Sequence, residues 1–181
     1  MKMTKIVGGL AFAGVLILVD AGVMTAQMAG RATDAHLMKE VRHELVMLPY
    51  YGVFDNLAYQ VDGNNVTLFG QVTRPTMKSE AENAVKHIEG VGQVINNIEV
   101  LPVSPMDDQT RRAVFRAVYG KGELADRYAF QAVPAIHIIV KNGNVTLIGV
   151  VNSAIDKQIA VTQANGVPGV FGVKDELVIQ K

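Results

Sequence analysis

Side chains equipped for catalysis are few in this chain, and their spacing argues against an enzyme. The 181 residues include no Cys, which excludes thiolate metal sites, disulfides, Cys nucleophiles and an acylated N-terminal Cys anchor. The His residues, at 36, 43, 87 and 137, are scattered, and neither H-x-x-x-H nor H-E-x-x-H occurs. His36 and His43 can share a helix face two turns apart, which falls short of a metal pair. No G-x-S-x-G is present, and Gly166, Gly169 and Gly172 follow a helical pattern and precede a strand. A phosphate-cradling glycine loop needs the reverse order. Asn65-Val66-Thr67 and Asn144-Val145-Thr146 fit the N-glycosylation triplet but fall in strand patterns. No catalytic, metal or cofactor constellation is expected.

One pattern does suit a ligand. Arg112, Phe115, Arg116 and Tyr119 fall at i, i+3, i+4 and i+7, one stripe of a helix. Basic groups interleaved with aromatics fit a lipid headgroup boundary, where Arg forks the phosphate and rings enter the acyl edge. The plainer reading makes Phe115 and Tyr119 core and leaves the Arg residues solvated. The adjoining stripe of Thr110, Ala113, Val114, Ala117 and Val118 can face a core.

Composition narrows the class. Hydrophobic residues make up 49% and charged residues 19%, with 17 Lys+Arg against 17 Asp+Glu. That excludes a disordered chain and argues against nucleic-acid binding, which needs a basic excess. The neutrality is uneven: residues 31–105 carry 6 basic and 9 acidic side chains, and residues 106–181 carry 9 and 7. The second part is the better candidate to meet an anionic surface.

The elements that must carry these residues are written twice. Asn65-Val66-Thr67-Leu68 returns as Asn144-Val145-Thr146-Leu147, at an offset of 79 that holds from Gly70/Gly149 to Val100/Ile179. Upstream, Val41 and Leu45 pair best with Val114 and Val118 at an offset of 73, so the second copy has about six extra residues within 120–135. Each copy reads helix, strand, strand, helix, strand. In the first, Leu37, Val41, Leu45 and Leu48 keep helical spacing behind Asp34 as N-cap; Leu57 to Val61 and Val66 to Val72 alternate around Asp62-Gly63-Asn64. Met77, Ala81, Val85 and Ile88 form the next helical stripe, and Asn96 to Val100 the last strand. The second repeats this over 107–119, 136–140, 144–151, 153–165 and 173–179. Gly70 and Gly149, inside strands, read as bulges or as close helix approach. A helix between the second and third strands makes that pair parallel and the sheet mixed.

On the sheet side away from the helices, Ala58, Gln60, Thr67, Phe69 and Gln71 of the first copy become His137, Ile139, Thr146, Ile148 and Val150. Such an apolar face needs cover. Ile139, Ile148 and Val150 are therefore expected at an inter-domain or partner surface. The cover could be the other copy, which the short linker 101–105 favours, the inserted segment around Arg127-Tyr128-Ala129-Phe130, or a second chain.

Residues 1–30 read separately. Lys2 and Lys5 precede the apolar run Ile6 to Val19, the pattern of an export signal. Two readings stand: a removed signal sequence, or an uncleaved N-terminal anchor reaching about Met28. Either implies export, to a periplasmic or membrane-associated location.

The doubled N-V-T-L-x-G-x-V strand (65–72, 144–151), the helix after it and the G-V-x-x-V turn (90–94, 169–173) resemble the BON domain family. The resemblance covers residues 34–103 and 107–180. It implies an α+β fold of two small α-β-β-α-β domains, each a three-stranded mixed sheet covered by two helices. It further implies a non-enzymatic exported bacterial protein that binds phospholipid or the envelope surface, in envelope maintenance or osmotic stress. Anionic phospholipid, or the envelope itself, is then the expected partner, with a protein partner open and no nucleic acid. The alternative is a soluble periplasmic protein-interaction or peptidoglycan-associated module.

Overall fold

In the computed structural model, residues 21–180 are described apart from 121 and 132, with side chains from 34 onward. Most of the export-signal pattern lies outside these residues. The first half runs α1 (Ala21–Val46), β1 (Asn56–Asp62), β2 (Asn65–Val72), α2 (Pro75–Lys86), β3 (Gln93–Asn96) and β4 (Glu99–Val100). The second runs α3 (Pro105–Tyr119), α4 (Glu123–Tyr128), β5 (Ile136–Lys141), β6 (Asn144–Val151), α5 (Ala154–Asn165) and β7 (Gly172–Ile179). The expected α+β architecture is present twice, with one mixed sheet in each half.

Both sheets follow the same register. β1 pairs antiparallel with β2, from Asn56–Gln71 to Asp62–Asn65, and β5 pairs likewise with β6. The third strand lies parallel: Val66 opposes Val94, and Val145 opposes Val173. Alternation sends Val66, Leu68 and Val72, and their equivalents Val145, Leu147 and Val151, under the helices. Leu37, Val41 and Leu45 of α1 and Met77, Ala81 and Val85 of α2 close the first core. Val114 and Val118 of α3 and Ala160 and Ala164 of α5 close the second.

Three local expectations are corrected. Asp34 does not cap a helix; it lies inside α1, which continues from Ala21 because nothing in Ala21–Val46 breaks it. The close approach at the strand glycines comes from the antiparallel neighbour, at Asn56 of β1 and at Ala135 just before β5, not from a helix. At Gly70 (φ +113°) a Cβ would sit 2.0 Å from the Asn56 carbonyl oxygen, and at Gly149 (φ +143°) 2.0 Å from that of Ala135. The inserted segment folds as α4 on the helical side, against α3 and α5. It buries Leu124 and Tyr128 in the core and leaves Phe130 exposed, so it does not roof the outer sheet face.

Candidate functional site

Helix α3 opens at Ser104, whose hydroxyl accepts from the Asp107 amide, with Pro105 in the first turn. Its inner face carries more than apolar groups. The Asp107 carboxylate, buried, accepts from the amides of Asn142 (2.9 Å) and Gly143 (2.8 Å), clamping the β5–β6 turn to the helix start. Arg111, also buried, donates to the Val140 carbonyl at 2.7 Å and pairs with Asp108. Sequence reading passed over both, although 107, 111, 114 and 118 form one helical stripe ending in core Val residues.

Arg112 and Arg116 point outward, one turn apart, and neither forms an ion pair among the described residues. Between them Phe115 is 40% exposed, set edge-on to Phe54 with ring centroids 6.1 Å apart. Tyr119 does not belong to this surface. It is 7% exposed, and its hydroxyl donates to the Ile136 carbonyl (2.7 Å) and accepts from the Ile136 amide (2.9 Å). Burial, partly offset by that carbonyl, pushes its pKa up to about 12. The lipid-contact assignment of Tyr119 is therefore withdrawn: position 119 lies between the two stripes, and the edge-facing backbone groups of Ile136 hold its hydroxyl inward.

The outer face of the second sheet is covered unevenly. Ile139 is buried, beside a recess that it and Ile148 line together with Gln71, Glu99 and Leu101 of the first half. Val150 is 50% exposed, and its register partner Val178 is 62% exposed. The loop between α1 and β1 supplies the contacts nearest β5. The Ile138 amide donates to the Val53 carbonyl at 2.7 Å, extending the sheet edge by one bond. Val53 and Phe54 pack against the second core. The Tyr51 ring stacks on His137 at 5.5 Å, with its hydroxyl 3.5 Å from Nε2. Burial lowers the pKa of His137, opposed by the Gly52 and Asp55 backbone and the Asp55 charge. Position 137 corresponds to Ala58, so this His is a feature of the second copy alone.

Among the described residues, no group of His, Asp and Glu is placed to hold a metal ion. No helix there is long and apolar enough to cross a membrane.

The BON domain family model matches residues 33–102 and 121–181. The chain belongs to the BON domain family, with a domain match in each half. Such domains are generally non-enzymatic binding modules, often associated with phospholipid or the envelope, and occur in periplasmic or exported proteins. No curated protein matches the chain. Among solved structures, one of CdsD, a structural protein of the type III secretion system of Chlamydia trachomatis, aligns at 15% identity and TM-score 0.32, over 80% of this chain and 92% of that one. The CdsD C-terminal domain aligns at 14% and 0.28, over 80% and 98%. At these TM-scores the overlays bear on neither architecture nor function.

Proposed function

We propose that this is an exported, non-enzymatic envelope protein whose second domain contacts anionic phospholipid through the outer face of α3. The carrying observation is the pair Arg112 and Arg116, exposed, without ion-pair partners among the described residues, and flanking half-exposed Phe115. A guanidinium held on a rigid helix forks a phosphate in two parallel hydrogen bonds, and a neighbouring ring enters the interface. The surplus of basic over acidic groups in residues 106–181 directs that half toward a negative surface. Both Arg residues sit on a helix that Asp107 and Arg111 fix to the sheet, so the contact is preorganised.

Co-sedimentation with phosphatidylglycerol and phosphatidylcholine vesicles tests this. The chain pellets with the anionic vesicles, less so as salt rises, and Arg112→Glu with Arg116→Glu abolishes it. Pelleting indifferent to lipid charge and to those substitutions overturns the assignment. In that case the second reading, a periplasmic interaction module, takes its place. Val150 and Val178, paired in register and half or more exposed, favour it. Its proposed partner is protein or peptidoglycan, and co-sedimentation with purified sacculi separates the two.

A further inference from the structure

Between the halves lies a cleft of about 640 Å³, within the size range of small-molecule sites. Its walls come from α1 and the start of β1 on one side, and from β5, β6 and the segments following α4 and β7 on the other. The lining residues contain one fixed positive charge, Arg42, and no Asp or Glu. Three side-chain amides, Asn56, Asn152 and Gln180, face it and make no side-chain hydrogen bond among the described residues. Tyr59 contributes ring surface, Tyr51 being stacked on His137.

Each feature selects against a different ligand. Apolar residues line it too, among them Leu45, Leu57, Val133 and Val150, yet an acyl chain would bury the three uncommitted amides, which is costly. A cation has no carboxylate to meet. A sugar suits the set: amides donate and accept together, as vicinal hydroxyls require, and ring surface covers the apolar face of a pyranose. The lone guanidinium adds a partner for one carboxylate. We infer that the inter-domain cleft is a binding site for a small acidic saccharide, with Arg42 reading the carboxylate and Asn56, Asn152 and Gln180 reading hydroxyls. The site is separate from the α3 surface and takes residues from both copies.

Calorimetric titration of the full chain tests this with two matched pairs, glucuronate against glucose and N-acetylmuramic acid against N-acetylglucosamine. At least one acid binds one-to-one, and about three- to fivefold tighter than its neutral partner, as one exposed ion pair predicts. Arg42→Gln erases that preference, and Asn152→Asp, which brings a carboxylate into the cleft, weakens the acid more than the neutral sugar. Both positions are exposed, so neither variant threatens the fold. Equal affinities within both pairs, no binding of either acid, or an Arg42→Gln chain that keeps its preference overturns the inference. Binding of decanoate with all four sugars silent also overturns it, in favour of a lipid anion. The Arg112→Glu, Arg116→Glu chain retains saccharide binding whatever its behaviour on vesicles; loss there would deny the cleft its independence.

Discussion

Polar residues fix the second half more tightly than its apolar pattern alone requires. Asp107 joins a helix start to a hairpin turn through two amide hydrogen bonds from a buried position. Removing the carboxylate strands both amides, so Asp107→Ala is expected to cost about 2–4 kcal/mol in urea unfolding. Tyr119 pairs with both backbone groups of Ile136 through one oxygen, and Tyr119→Phe is expected to cost about 1–3 kcal/mol by the same measurement. His137 gives a pH dependence. The unfolded imidazole titrates near 6.5, and burial holds the folded one lower. Between those values the unfolded chain binds more protons, so this contribution is complete above the unfolded pKa and is lost progressively as pH falls from about 6.5 through the folded pKa. The urea midpoint of the natural chain therefore drops more between pH 7.5 and 5.5 than that of His137→Ala. Equal drops would show that His137 plays no part.

At the scale of elements, the copies use one frame with different fastenings. Gly149 is held at φ +143° under the Ala135 carbonyl, where a Cβ has no room. Gly149→Ala, and Gly70→Ala in the first half, should each cost at least about 3 kcal/mol, since strained φ and backbone collision act together. The six-residue helix α4 is too short to hold itself in water. It is tied by Tyr128, which donates to Asp156 (2.8 Å) and accepts from the Asn152 amide (2.8 Å), and by Arg127, which pairs with the same carboxylate. Asp156→Ala should release α4, read as faster amide exchange over 123–129 while β6 stays protected. In the first copy the matching position is Met77, a core residue with no insertion to tether.

For the whole molecule, the joint between halves rests on the loop 51–55. Tyr51 stacks on His137, Val53 accepts from the buried Ile138 amide at the edge of β5, Phe54 reaches Phe115, and Lys141 pairs with Glu99. The surface ion pair adds little, and apolar and aromatic contact carries the joint. Tyr51→Ala with Phe54→Ala is expected to speed exchange at the Ile138 amide by about tenfold or more without lowering protection in β2, since about 1.4 kcal/mol of lost docking corresponds to a factor of ten. Unchanged exchange at Ile138 would mean that the loop does not hold the halves together. Phe54 links this joint to the proposed lipid surface, because the ring that touches Phe115 belongs to the other half.

Much of this was legible in one dimension. The period-2 strands, the helical stripes of Val41 and Leu45 or Val114 and Val118, and the 79-residue offset specify the sheets, their helical cover and their duplication, because each follows from local alternation between water and core. Arg112 and Arg116 were legible for the same reason, as the polar face of a helix whose inner face is apolar. Tyr119 was not, since a hydroxyl's partner 17 residues away has no trace in helical spacing. Nor was the meeting of Tyr51 with His137, or the cleft with Arg42 at one wall and Asn152 at the other. Those depend on how two finished cores turn toward each other, and residues that meet across such a joint share no periodicity in sequence.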